Sequence, residues 1–318
     1  MKKRWLQSAA SAVLVLTLAF AGACSAHRGP AAARVGGDCP NADGLILHPT
    51  VQLAKFYEDI DYGCMWIVPY FDDIMAIYSL RHKQHLPEVK AYIDWVFAHL
   101  NAEDRWGISG TIFDYVICCD GTEIPTLQYD SADGYAGQFL MLLDEYHRRT
   151  RDTDYIVRHK KAIFDVAYVL LHLQDERDGL AIAMIGYPVK YTMDNSEGYG
   201  GLAAFCELAR RVGWGSEIED YTDARDEMKK GILSYLYDPE RRNFRWALDN
   251  KNEPQASSWD KFYPDALSQI FPILYGVIAS DSPLAKELWR EYARRYKESD
   301  MESIEQKLLY RMTAEKME

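Results

Sequence analysis

Apolar residues recur along this chain at helical spacing, in paired runs separated by short stretches where that spacing lapses. Ile67, Phe71, Ile74, Ile77 and Tyr78 share one stripe, which predicts a helix over about 66–83. Leu86-Pro87-Glu88 opens a second run, through Val89, Tyr92, Ile93, Val96 and Phe97, that predicts a helix to about 101. The stripe then stops. Residues 106–128 contain Gly110-Thr111-Ile112-Phe113-Asp114-Tyr115, rich in β-favouring types, and read as a hairpin. The plan returns with helices over about 131–150 and 153–174 and a β-like run from Asp178 to Tyr191. A third round predicts helices over about 195–212 and 216–237, then Asn243-Phe244-Arg245-Trp246 and a polar loop to Ser258. A fourth predicts helices over about 264–280 and 283–299, and a charged tail helix follows from about Met301. A further helix is expected over about 50–59, ahead of the first round.

The repeat is also visible residue by residue. Asp130-Ser131-Ala132-Asp133-Gly134-Tyr135-Ala136-Gly137 reappears as Asp194-Asn195-Ser196-Glu197-Gly198-Tyr199-Gly200-Gly201, an offset of 64. The same step from Tyr199 lands on Tyr263, and a step back from Tyr135 lands on Phe71. An aromatic thus recurs near the start of four successive helices. Helix, helix, hairpin at a fixed period is a repeat architecture, whose units bury their faces against their neighbours. If the units curl into a ring, the loops before the inner helices form one rim, and Asp130, Asp133, Asp194, Glu197, Trp259 and Tyr263 converge there.

Composition changes this picture little. The 318 residues are 48% hydrophobic and 26% charged, enough for one large domain with a substantial core. The beginning of the chain is different. Met1-Lys2-Lys3-Arg4 is a basic start, and the apolar run to Phe20 is too short to favour a spanning helix. Ala21-Gly22-Ala23-Cys24 resembles a bacterial lipobox, with Ala21 where Leu is usual. The expectation is a signal segment over 1–24 with Cys24 lipidated, or plain cleavage after Ala23. A Gly- and Pro-bearing tether over 25–45 and a single domain over 46–318 follow. An exported, periplasmic or cell-surface monomer held to the membrane through its lipid is expected.

The formal net charge is −12, and residues 1–23 are themselves basic, so the remainder is more acidic still. Nucleic acid is excluded as a natural partner, and a highly anionic polymer is disfavoured. Of six cysteines, Cys39 and Cys64 could pair in an oxidising compartment. Adjacent Cys118 and Cys119 could form a vicinal bridge or sit reduced on a strand. No Cys or His spacing suggests zinc: the histidines at 82, 85, 99, 147, 159 and 172 lie in or at the ends of predicted helices. Phosphate loops, nucleophile elbows and His-Glu-x-x-His are missing. No metal or cofactor is called for.

With the helix-pair repeat and the two Asp-rich helix starts in view, residues 45–300 resemble the six-hairpin glycosidase superfamily. The Gly110–Tyr115 hairpin and the Trp259-Asp260-Lys261-Phe262-Tyr263-Pro264-Asp265 segment are of the same style. The resemblance implies an all-α fold, an (α/α) toroid with short β-hairpins between pairs. It implies a glycoside hydrolase whose carboxylates act at the mouth on a polysaccharide or oligosaccharide. Sugar epimerisation and lyase chemistry also occur on such toroids. Six pairs at this period would need a longer chain, which leaves three alternatives open: an incomplete ring, shorter missing pairs, or a relative with altered function.

Glycoside hydrolysis needs one carboxyl that is protonated and one that is ionised, on either side of the scissile bond. Asp133 is the candidate acid, Asp194 or Glu197 the base, and Asp130 the remaining member of the set. Tyr115, Tyr129, Tyr135, Tyr199, Trp259 and Tyr263 are candidate sugar-binding rings, with Asp114 and Asp265 as secondary acids. A plainer reading competes. Asp-x-x-Asp and Asp-x-x-Glu at a helix start are variants of the capping box, with Asp130 and Asp194 as N-caps. A surface carbohydrate-binding or scaffold lipoprotein on the same frame would need nothing more. The Gly and Tyr after each acid favour the functional reading, because glycine lowers helix propensity and implies a close approach by backbone or ligand.

Overall fold

The computed structural model describes residues 64–118 and 123–318. The signal segment, tether and helix expected over 50–59 lie outside them, as do Cys24, Cys39 and Cys119.

The helix pairs form largely as the apolar stripes predict, and their ends show what stops them. β1 (Cys64–Ile67) takes the residues expected to open the first helix, and α1 (Pro69–Arg81) begins at Pro69. Proline suits that place because its fixed φ is helical and no N–H is needed there. After α2 (Leu86–His99) come β2 (Tyr115–Cys118) and β3 (Glu123–Pro125), which complete an antiparallel sheet in the order β1-β2-β3. The predicted hairpin is therefore shorter than expected. Its first half is a loop wound on Asp104, whose carboxylate accepts from the N–H groups of Trp106 and Ile108 and the Thr111 and Tyr129 hydroxyls.

In the second round α3 (Ala132–Thr150) is continuous, but the helix expected over 153–174 is two, α4 (Thr153–Arg158) and α5 (Lys160–Leu173). The break falls at His159, whose ring lies flat on Phe97, with centroids 4.1 Å apart. β4 (Lys190–Tyr191) is all that is regular of the β-like run. Next come α6 (Thr192–Arg211) and α7 (Glu219–Gly231). The strands β5 (Tyr237–Asp238) and β6 (Asn243–Phe244) pair with each other, and β4 joins β7 (Ala247–Leu248) and β8 (Pro254–Gln255). One round's hairpin residues thus pair with those of the next. A kinked turn over Phe262–Ala266 leads into α8 (Leu267–Leu274), shorter than predicted, and α9 (Pro283–Arg295) packs on α8.

The charged tail is not a tail. α10 (Ile304–Met317) buries Leu308, Leu309, Met312 and Thr313, and packs on both α8 and α1. Lys316 Nζ donates to the Leu274 carbonyl at 2.8 Å. Successive contacts therefore run α1, α3, α6, α8, α10 and back to α1, with α2, α5, α7 and α9 outside. This is an α/α toroid, and among the described residues its inner wall is a closed circuit of five helices.

The tightest seam is α3 against α6, and it explains the second glycine of each repeat. A Cβ on Gly201 would lie 2.5 Å from Gly137 Cα, and one on Gly137 would lie 2.6 Å from the Glu197 carbonyl oxygen. Gly137 and Gly201 occupy the same place in successive repeats, and each is small because the other is there. Backbone makes that approach, whereas the glycines directly after the acids face side chains, Gly134 those of Ser131 and Glu197 and Gly198 those of Met228 and Leu170.

Candidate active site

One loop aligns two inner helix starts. The Ala132 N–H at the head of α3 donates to the Ala183 carbonyl at 2.8 Å. Asn195, in α6, donates to the Ala181 carbonyl at 3.0 Å and accepts from the Ala181 N–H at 2.7 Å. The strap over 181–183 therefore fixes the acids of both repeats relative to each other.

The acids are not helix caps. Ser131 is the N-cap of α3 and Tyr191 that of α6, and neither makes a side-chain capping bond. α6 starts three residues earlier than predicted, which carries Asp194 into its first turn and Glu197 into its second. The capping-box reading fails at both starts.

Asp133 is 0% exposed and Glu197 1%. Asp133 Oδ1 accepts from the Gly134 N–H at 2.9 Å, while Asp133 Oδ2 and Glu197 Oε2 are buried with no hydrogen-bond partner. Glu197 Oε1 is by contrast crowded. It accepts from the Tyr70 hydroxyl at 2.6 Å, Gln138 Nε2 at 2.7 Å and the Tyr275 hydroxyl at 3.4 Å. Gly134 leaves room for the other oxygen: a Cβ there would lie 3.3 Å from Glu197 Oε2.

Burial, then the charges of Asp194 and Glu197, push Asp133 well above the usual carboxyl value. Burial and Asp194 do the same to Glu197, against the opposing bonds from Tyr70, Gln138 and Tyr275. Asp194 is half-buried, and burial with the nearby Asp130 raises it to about 7. Asp130 is exposed, yet its carboxyl is drawn far enough from water to be raised as well. Asp114 is pushed by burial to about 7, with Asp130 adding and the Tyr135 hydroxyl bond (2.7 Å) opposing. Five carboxyls thus share one neighbourhood. The strongest influences on them are burial, one another, hydroxyls and amide N–H groups, with no Lys, Arg or His among these.

The rings divide. Tyr263 is 61% exposed overall, but burial of its hydroxyl end and the charges of Asp194, Asp130 and Glu197 hold its phenol well above the usual value. It belongs to the acid mouth. Tyr135 lies beneath, stacked on Tyr70 with centroids 5.8 Å apart. Tyr129 is buried behind Tyr135 and spends its hydroxyl on Asp104. The other candidates lie elsewhere. Tyr115 meets Trp95 and His99 edge-on, and Tyr199 faces Lys229 toward α7. Trp259 is half-buried against the core, and its carbonyl takes the Tyr296 hydroxyl. Asp265 is buried, accepting from the Ser258 N–H and pairing with Lys261. The repeat predicts equivalent backbone places, and the side chains leave those places in different directions.

Tyr70, Gln138 and Tyr275 were not legible as site residues. Tyr70 adjoins Phe71, where the 64-residue step points, but Tyr275 has no sequence signal at all. Among the described residues no group of three or more His, Cys, Asp or Glu is arranged to hold a metal ion.

Comparison with solved structures places the fold. The GH78 family rhamnosidase of Bacillus sp. GL1 superimposes with a TM-score of 0.51 at 14% identity, over 80% of this chain and 26% of that one. A Klebsiella oxytoca rhamnosidase, solved with rhamnose bound, gives 0.51 at 12% identity, over 85% of this chain and 50% of that one. An uncharacterized conserved protein from Thermus thermophilus gives 0.53 at 11% identity, over 74% and 70%. The chain therefore has the α/α toroid fold of these glycosidases, and it spans a quarter to a half of the two rhamnosidases. No protein-family model matches it, and no curated protein matches it in sequence.

Proposed function

We propose that this protein is an exported, lipid-anchored glycoside hydrolase acting on a polysaccharide or oligosaccharide. One observation carries the reading: Asp133 Oδ2 and Glu197 Oε2 are buried and unpartnered beside a half-exposed third acid, Asp194. Buried oxygens without partners cost stability, and clusters of mutually raised carboxyls are a mark of catalytic sites.

Asp133 is the general acid, since burial and two acidic neighbours favour its protonated form. Asp194 is the base: unlike Asp133 and Glu197 it reaches solvent, and at about 7 it is ionised in a large fraction of molecules. Glu197, held by Tyr70, Gln138 and Tyr275, adds to the upward shift of Asp133. Proton transfer from Asp133 requires the groups above it to move aside, because no part of it is exposed. That same burial favours a second reading, a carbohydrate-binding lipoprotein without turnover.

Reducing-end release from a panel of neutral and amino-sugar polysaccharides separates the two. Hydrolysis predicts product from the parent and a loss of about a thousandfold in Asp133→Asn, with folding retained, since general acid–base catalysis contributes on that order. Saturable binding without product from any polymer would sink the hydrolase.

A further inference from the structure

Four rings stand beside the acids, and three of them belong to no repeat motif. Tyr187 is 47% exposed and Tyr263 61%. The Tyr187 and Tyr191 hydroxyls are 2.9 Å apart, with ring centroids at 6.5 Å. Tyr191 continues to Trp246 at 5.9 Å with the planes 30° apart. Neighbouring rings so inclined present an apolar strip rather than a stack. Tyr263, 61% exposed, neighbours both the strip and the acids: burial, the charges of Asp194, Asp130 and Glu197, and Tyr187 together raise its phenol.

The strip is fixed to the helix that carries Asp194. The Trp246 carbonyl accepts the Thr192 N–H at 3.0 Å, and the Arg245 carbonyl accepts the Thr192 hydroxyl at 2.5 Å. Tyr191 is the residue immediately before α6. A ligand lying on the rings is therefore held in register with the carboxyls.

We infer that Tyr187, Tyr191, Trp246 and Tyr263 form a subsite for a further, uncharged pyranose ring of an oligosaccharide whose adjoining ring sits at the acids. The inference deepens the proposed function and rests on that reading for the adjoining ring. Two exposed rings, Tyr187 and Tyr263, and two half-buried ones, Tyr191 and Trp246, with a hydroxyl edge match a pyranose, which has C–H faces and a hydroxyl rim. Charge narrows the class. A carboxylated or sulfated sugar would meet the ionised members of the acid set, and Lys261 (6.0 Å from the Trp246 ring) is already paired with Asp265 at 3.2 Å. The subsite thus discriminates against uronic and sulfated chains through unpaired repulsion.

Titration calorimetry on the full chain tests this with gluco-, xylo-, manno- and rhamno-oligosaccharides of one to four rings, and with oligogalacturonates for comparison. Tyr187→Ala and Trp246→Ala are compared with Tyr235→Ala, an exposed tyrosine that is not one of the four rings, and melting curves check that each folds. The expected result is a neutral series whose affinity climbs with ring number. Tyr187→Ala and Trp246→Ala each weaken the three-ring ligand by about tenfold, more than the single sugar, and Tyr235→Ala does not. The subsite is rejected if no neutral series binds, if affinity ignores ring number, if the strip variants match Tyr235→Ala, or if oligogalacturonates bind as tightly. Binding is read without turnover. Ring-dependent binding by an inactive protein therefore rejects the hydrolase and keeps the subsite, and active protein without ring dependence does the reverse.

Discussion

Lys190 shows how much a single side chain carries here. It is 1% exposed, and its ammonium pairs with Asp175 at 2.8 Å and Asp178 at 2.5 Å. Both partners lie at the turn after α5, and Lys190 itself sits two residues before α6, so the trio pins the hairpin ahead of the acids. A buried cation is costly unless paired, and removing one partner leaves the others uncompensated. Asp175 also binds Arg177, which softens the loss. Lys190→Met is therefore expected to cost about 3 kcal/mol in urea unfolding, and Lys190→Met with Asp178→Asn to cost less. Equal losses would show that charge compensation is not what the lysine supplies. Nothing in the sequence marks Lys190 out, because the acids it neutralises come from a turn twelve or more residues away.

Between elements, the α3–α6 seam decides where the acids stand. The stripe of apolar residues predicts both helices, and the repeated Asp-x-x-acid-Gly-Tyr-small-Gly predicts that they correspond. Contact between Gly137 and Gly201 requires the whole seam. A methyl group on Gly137 would press into the backbone of Glu197 itself. Gly137→Ala is expected to lower stability by roughly 2–3 kcal/mol, as overpacking does, and to reduce activity by displacing Glu197. Thermal melting beside product release checks it, and a variant that melts like the parent would mean the seam is looser than described. The helix starts are the least legible feature. α6 begins early because Thr192 finds acceptors in Arg245 and Trp246, more than fifty residues downstream.

For the molecule as a whole, the raised acids set the response to pH. Asp114 and Asp194 are pushed up to about 7 from the usual 3.8, and burial raises Asp133 and Glu197 well above their usual values too. A carboxyl raised in the fold holds a proton that the unfolded chain has released. Between about pH 4 and 7 the folded state binds more protons, so stability falls as pH rises through that window. Asp94 and Asp104 act oppositely. Burial works against them, but bonds from Lys90 and Tyr155, and from Ile108 and Tyr129, hold them low, so their contribution is lost below about pH 4. The melting temperature should peak near pH 4–5 and decline toward pH 8, with a shallower decline in Asp194→Asn. A flat or rising profile over pH 5–8 would exclude the buried acid set. The C-terminal helix belongs to this level too. The sequence reads it as a charged tail helix, yet it closes the circuit by burying Leu308, Leu309 and Met312.

Local interactions reach only a few residues, so they are written where they act. The paired helices, their period, the acidic balance and the two Asp-rich starts all follow from such spacing, and they suffice to indicate an α/α toroid with acids at one rim. Which oxygens are left bare is a different kind of fact. It depends on Tyr70, Gln138 and Tyr275 arriving at Glu197 from 127, 59 and 78 residues away. Desolvation, which raises the acids, is likewise a sum over everything packed around them and has no one-dimensional signature. The repeat places equivalent backbones. Packing alone sends Tyr135 beneath the mouth, Tyr199 toward α7 and Tyr263 into the open.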